Sequence, residues 1–334
     1  TAYEIPSGDW RSDVCASDLW NLFILIMSAI LIVFGLVFPE YILQLVATAI
    51  LYGLFTVSVD FSYGYAGILN LGSAVYFGIG AYVTAFGLKA NMFPILPVVI
   101  GIGLAVIVAV VIGFVGFRVK ASQIHFGLIG LAVTIAFQQI AITFYDITGG
   151  SNGITNVKRP EIFSSVFVYY IFVVLVSMFI FYLLWRLTNS NFGKAMKALK
   201  HDEIKIEAMG YSPMKVKITV TAITAAVSAL AGSLFVGVSG IADPNLFGVT
   251  LSMSVLIWGV LGGTGTLIGP FIVATVLKLT ETTLSTSFQE TYLLIIGLLF
   301  IVVVVVAPSG LFGLGKQLFS KIKIKNSRKV DSYV

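Results

Sequence analysis

Long, unbroken apolar runs limit this chain more than any other feature. Residues 95–117, for example, contain no charged side chain. A bilayer's hydrocarbon core is about 30 Å thick and a helix rises about 1.5 Å per residue, so each crossing needs about 20 mostly apolar residues. Ten such segments can be drawn, at about 20–38, 41–59, 73–88, 95–117, 126–145, 166–186, 214–238, 248–262, 268–284 and 291–307. Lipid offers backbone groups no hydrogen-bond partner, which leaves helices or a closed barrel. The runs are continuous rather than alternating, and this selects helices. Only 10% of residues are charged and 58% are hydrophobic. A soluble domain carries about 25% charged residues, so this chain cannot cover a water-facing surface. The expected fold is an all-α integral membrane bundle of about ten (eight to ten) transmembrane helices.

The positions of Lys and Arg give the orientation. With the N-terminus inside, the inner loops hold Arg118, Lys120, Arg186, Lys194, Lys197, Lys200, Lys205, Lys215 and Lys217. The tail adds Lys316, Lys321, Lys323, Lys325, Arg328 and Lys329, against Lys89, Lys158 and Arg159 outside. The positive-inside rule then puts both termini in the cytoplasm, as an even span count requires. The basic tail, 313–334, fits simple retention, and binding to anionic lipid is the alternative. The net charge of +5 is a topology signal rather than a nucleic-acid footprint. Cys15 is the only cysteine, and His125 and His201 are the only histidines, so neither a disulfide framework nor a metal cluster is expected. Residues 1–18 are polar, with Asp9, Arg11, Asp13 and Asp18. They read as translated adapter sequence or a short disordered leader, ahead of a transmembrane domain at 19–312.

The loop 187–213 carries the strongest functional pattern. Phe192, Ala195, Met196 and Leu199 recur at i, i+3, i+4, i+7, which makes one helix face apolar while Lys194, Lys197, Lys200 and Lys205 lie mostly off it. Gly210 can cap the helix and Pro213 prevents its continuation. Such a helix lies on lipid, packs under its own bundle, or docks into a partner's groove.

Three further segments interrupt the apolar runs. Between 64 and 82 stand Gly64, Gly67, Gly72, Gly78 and Gly80, with Asn70 among them. Small residues permit close helix packing, and the other reading is an interrupted helix lining a permeation route. Gln138 and Gln139 sit near the end of the fifth segment and point about 100° apart, so at most one lines a central path. Hydrogen bonding to a neighbouring helix is the other reading, and the simpler one. A turn follows at Gly149-Gly-Ser-Asn-Gly153. The stretch Gly262-Gly263 with Gly265, Gly269 and Pro270 is either a tight turn or a break inside the membrane. Lys278 and Glu281 are spaced to pair, as an end-of-span pair or as an ion relay, and Asp60, which ends the second segment beside Phe61-Ser62, is open to the same two readings.

The loop resembles the coupling loop of ABC-importer permeases, whose hallmark is Glu-Ala-Ala followed by Gly. It reads Glu207-Ala208-Met209-Gly210, preceded by Phe192-Gly193-Lys194-Ala195 and Asp202-Glu203-Ile204. The longer pattern resembles the branched-chain amino acid permeases and their relatives in urea uptake. Met209 replaces a commoner Ala or Leu, and His201 stands where an acidic or polar residue is usual. The glycine-rich stretch, the Gly149–Gly153 turn and the Gly262–Pro270 stretch are similar to the same family, over about residues 40–312. The resemblance implies coupling to ATPase subunits through Phe192, Gly193, Ala195, Asp202, Glu203, Glu207, Ala208 and Gly210. It also implies a path beside Gly64, Gly67, Asn70, Gly72, Gln138, Gln139, Gly262 and Gly263. The implied partners are two ATPase subunits that hold ATP-Mg, a second, homologous permease, and a periplasmic or lipid-tethered solute-binding protein, in a bacterial or archaeal inner membrane. This chain would bind no cofactor itself. It has no Gly-x-x-x-x-Gly-Lys-Ser/Thr loop, zinc-protease helix, serine elbow or Cys–His pair, so an enzyme is not expected. The implied cargo is Leu, Ile and Val, with urea or short amides as the alternative. A reading from another class is an ion-coupled secondary transporter built on the broken helices.

Overall fold

The computed structural model describes residues 38–118, 123–160, 163, 165–208 and 210–287, with Gly35 and Gly297 as isolated positions. The segments drawn at 20–38 and 291–307, residues 1–18, the basic tail, Lys120 and Met209 lie wholly or almost wholly outside the described residues.

The described residues are helical, with no strand among them. Helix α1 (Glu40–Asp60) is apolar around its whole circumference and sits at the centre, buried from Leu43 to Asp60 on nearly every side. It runs into a π-helical turn, Phe61–Tyr65. Helix α2 (Ser73–Lys89) is equally buried, whereas α3 (Ile95–Arg118) buries only Pro97, Gly101, Ala105, Ala109, Gly113 and Gly116. Those small residues form one stripe at nearly four-residue spacing and let α3 approach its neighbours closely. Its large side chains, Val99, Ile107, Val111, Phe114 and Val115, point outward. An apolar outer face of this kind belongs against lipid.

Helix α4 (Gln123–Thr143) and the short α5 (Tyr145–Thr148) lead into a turn, and α6 (Val166–Thr188) follows. Two short helices come next, α7 (Asn191–His201) and α8 (Glu203–Ala208). The long α9 (Pro213–Ser239) begins at its proline and ends at Gly240 in a left-handed conformation. Helices α10 (Val249–Gly262) and α11 (Ile268–Ser287) complete the described residues. Among the described residues, five helices are long and apolar enough to cross a membrane: Glu40–Tyr65, Ile95–Arg118, Gln123–Thr143, Val166–Thr188 and Pro213–Ser239. Of the other segments drawn from sequence, those at 73–88, 248–262 and 268–284 coincide with α2, α10 and α11, which are shorter or more polar.

Helices α2 and α9 cross in backbone contact. A Cβ on Gly80 would lie 2.0 Å from the Ala229 carbonyl oxygen, and one on Gly232 would lie 2.0 Å from that of Phe77. The Ser233 hydroxyl, donating to Gly80 O at 3.1 Å, closes the same crossing. Gly232→Ala is therefore expected to cost about 1–3 kcal/mol, read as a lower melting temperature of the detergent-purified protein.

The bundle has two distinct ends. At one, the Gly149–Gly153 turn pairs with the loop after α9 through Ile154 N to Ala242 O (2.8 Å) and its reciprocal bond (3.0 Å). Arg159 Nε donates to Gly237 O at 2.7 Å at that end. The other end gathers the π turn, α7, α8 and the start of α9.

Candidate functional site

The basic end of the bundle is built around α7. Its first turn is capped by the Ser190 hydroxyl, which accepts from Gly193 N at 3.4 Å. Gly193, Ala195, Met196 and Leu199 are buried, and Phe192 packs half-buried against the same core. Gly193 has no room for a side chain, because a Cβ there would lie 2.1 Å from Thr188 O. Of the three uses open to an amphipathic helix, the apolar face serves packing under its own bundle. Phe192, Gly193 and Ala195 thus hold the helix to the membrane domain, and Lys194 on the opposite face is exposed.

The helix does not run on to Gly210. Asp202 is extended (φ −165°, ψ 123°) and its Oδ1 accepts from Ile204 N at 2.9 Å, which ends α7 and starts α8. An Asp before Glu-Ile is a helix-start signal, and periodicity alone missed it. Glu203 pairs with Lys217 at the start of α9. Ile206 is completely buried, whereas Ile204 is 75% exposed. Glu207 lies on the exposed side as well, and Gly210, at φ +80° with open space around it, turns the chain toward Tyr211. Ala208 closes α8. The exposed surface of this unit includes Lys194, Ile204, Glu207 and the Gly210 turn. Ile204 lies outside the apolar heptad of α7, so the pattern did not single it out.

The glycine-rich stretch packs closely against its neighbours and also interrupts its helix. The helix is interrupted from Gly67, at φ +70°, to Gly72, and in this largely buried segment Gly67 N donates to Tyr63 O and Ile68 N to Ser62 O. Asn70 Oδ1 accepts from Gly72 N at 2.9 Å, and its Nδ2 donates to the Tyr76 hydroxyl at 3.4 Å. The Ser252 hydroxyl of α10 accepts from Ala74 N at the start of α2. Gly72 also meets the backbone of Gly130 in α4 at a distance no side chain tolerates. A cavity of about 270 Å³ opens beneath this segment, lined by Gly67, Gln123, Leu199, Glu203 and Lys217.

The second interruption lies between α10 and α11. Gly263 is at φ +100° and Gly265 at φ +78°. A Cβ on Gly262 would lie 2.4 Å from Pro270 N, so the turn is closed too tightly for any other residue. This second interruption is tied to the end of α1: Asp60 Oδ1 and Oδ2, 2% exposed, accept from Gly265 N at 2.8 and 3.2 Å. Gly64, Gly67, Gly262 and Gly263 thus collect at the basic end. Gln138 and Gln139 do not join them, since they lie in the far half of α4; Gln139 is exposed and bonds Thr143 one turn on. Lys278 and Glu281 pair at 3.1 Å, with Lys278 also 4.6 Å from the Tyr52 ring centroid.

Residues 41–304 match the model of a family described as branched-chain amino acid transport system / permease component. The chain is 28% identical over 296 residues to the high-affinity branched-chain amino acid transport system permease protein LivM of Escherichia coli K12, covering 79% of this chain and 67% of that protein. It is 27% identical over 346 residues to LivM of Salmonella typhimurium, covering 92% and 78%. A probable branched-chain amino acid transport permease protein LivM of Methanocaldococcus jannaschii is 31% identical over 221 residues, covering 55% and 64%. No solved structure matches the chain significantly. An all-helical body with lipid-type outer faces, two tight interruptions and a capped amphipathic helix at one end is thus joined to a family match across most of its length: the chain belongs to the permease components of branched-chain amino acid transport systems, a multi-pass membrane transport protein and not an enzyme.

Proposed function

We propose that this chain is the membrane-spanning subunit of an ATP-binding cassette importer for Leu, Ile and Val. The observation that carries the reading is the α7–α8 unit. Its apolar face is committed to the bundle, while Lys194, Ile204, Glu207 and the Gly210 turn stand free on the same end. A helix anchored this way transmits force to the domain above it and leaves its other face for an ATPase groove. The sequence resemblance at 191–210 and the family match at 41–304 support the same assignment. The orientation consistent with it puts the basic end, with Arg118, Lys194, Lys197, Lys200, Lys215 and Lys217, in the cytoplasm. Both termini then lie inside and the span count is ten. The Gly149–Gly153 turn faces a solute-binding protein, and a second permease completes the path. ATP-driven closure of the ATPase dimer pushes α7–α8, and the bundle exchanges an outward opening for an inward one. Weak contacts along the path suffice, because tight binding there would slow release.

The test is expression with the neighbouring genes, followed by affinity purification from detergent and leucine uptake in liposomes. An ATPase is expected to copurify. Ile204→Asp is expected to lower its recovery at least ten-fold, and Glu207→Ala less, while the permease keeps its melting temperature. Ile204 is the most exposed large apolar side chain of this unit, and a carboxylate in its place has to be desolvated when a partner covers it. Solute movement by the chain alone down an ion gradient, with no ATPase recovered, would overturn the reading in favour of a secondary transporter.

A further inference from the structure

Four residues form a continuous linkage that the coupling-loop resemblance does not include. The ammonium of Lys200, the last but one residue of α7, donates to Gly64 O at 2.7 Å. Gly64 lies inside the π turn that follows α1, one turn beyond Asp60. It is wedged so closely that a Cβ would fall 2.2 Å from Asp60 Oδ1 and 2.4 Å from Gly265 N. The Asp60 carboxylate in turn holds Gly265, in the turn leading into α11. Lys197 adds a second contact from α7 to the same turn, 5.8 Å from the Tyr65 ring centroid.

Each part is costly unless it has a use. A carboxylate at the end of a membrane helix is expensive to bury, and carboxylates in such places mark functional positions more often than structural ones. The π turn gives up regular hydrogen bonding at the point where the linkage passes. Gly265 adopts a left-handed conformation and presents its amide to Asp60. A lysine near a helix C-terminus would ordinarily cap its own helix, yet Lys200 reaches to a different element 136 residues earlier in the chain.

We infer that Asp60 and Lys200 are positioning residues that tie the coupling helix to the interruption between α10 and α11, so that displacement of α7 is delivered to that interruption. The inference rests on the importer reading above and adds to it the route by which the bundle is moved. Lys200 pulls on the π turn, Gly64 transfers the movement because nothing separates it from Asp60 and Gly265, and Asp60 turns it into a shift of the start of α11. Contiguity alone does not prove energetic coupling, and the measurement that does is non-additivity.

The experiment uses the copurified complex in liposomes, measuring labelled leucine taken up and ATP hydrolysed in the same preparation. Lys200 is an exposed residue, so Lys200→Met removes the ammonium without disturbing the core. It is expected to leave ATPase recovery unchanged and hydrolysis within two-fold, while leucine moved per ATP falls at least ten-fold. Lys200→Arg, which restores a donor, recovers most of that ratio. Asp60→Asn keeps one acceptor oxygen for Gly265 and gives an intermediate ratio. The double variant is expected to be no worse than Lys200→Met alone. A wild-type ratio in Lys200→Met would overturn the inference, as would single effects that simply multiply in the double variant. A lower melting temperature with an unchanged ratio would also overturn it, by reducing Lys200 to a helix cap. Failure of the unsubstituted chain to recover any ATPase is a separate result, which removes the importer reading itself.

Discussion

Gly64→Ala is expected to abolish leucine uptake and to lower the yield of folded protein several-fold. The added methyl would need to occupy space 2.2 Å from Asp60 Oδ1 and 2.4 Å from Gly265 N. Neither neighbour is the free end of a flexible side chain. Asp60 is held by its bond to Gly265, and Gly265 is backbone in a closed turn. Overpacking of this kind costs about 1–3 kcal/mol by itself. Pushing Gly265 away also leaves a buried carboxylate short of its donor, which brings the total to about 3–5 kcal/mol. The control is Gly103→Ala in α3, where a Cβ meets nothing within 4 Å. Alanine is the better helix former by about 1 kcal/mol, so that variant is expected to melt at the same temperature or slightly higher. If both variants melt together and both transport, the packing described at Gly64 is incorrect.

Met196→Asp is expected to uncouple the protein while sparing the bundle. Met196 is fully buried between α7 and the underside of the membrane domain, beside Ala195 and Leu199. A carboxylate in that position has no partner, and burying it costs on the order of several kcal/mol. The helix is held by one narrow apolar face, so detachment of α7 relieves the cost more cheaply than unfolding α1, α2 and α9. Leucine uptake is then expected to fall to background and ATPase recovery to drop at least ten-fold. The membrane domain should retain its helical circular dichroism and most of its thermal stability. Lys194→Ala, on the exposed face of the same helix, is expected to change stability by less than about 0.5 kcal/mol. Global unfolding of Met196→Asp at the growth temperature would show that α7 is an integral part of the core rather than an appended lever.

Much of this architecture is legible in the amino-acid order alone. The segments drawn at 41–59, 95–117, 166–186 and 214–238 agree with the observed helices to within a few residues. Most of their ends fall at a proline, a charge or a glycine, and 166–186 begins after a pair of serines. The α7 face was legible too, because four apolar residues at helical spacing among lysines define an amphipathic helix and little else. The break at Asp202 was not, since one capping side chain weighs little against a continuous periodic pattern. Asp60 was visible as an oddity without a role. Its partner Gly265 stands 205 residues further on, and no local rule pairs an acid with a glycine amide at that distance.

The one-dimensional information therefore decided what depends on solvent: which segments leave water, that they do so as helices, and which end collects positive charge. These outcomes follow from transfer energies and from the 3.6-residue period, and both are properties of a short stretch of chain. The tertiary structure decided what depends on contact. The apolar stripe of α7 could have met lipid, a partner or its own bundle with nearly equal gain per area buried, and only the folded molecule shows that it meets its own bundle. The glycines at 64, 67, 262 and 265 were legible as small, but their meeting point was not. Smallness permits a close approach without specifying which backbone will arrive there.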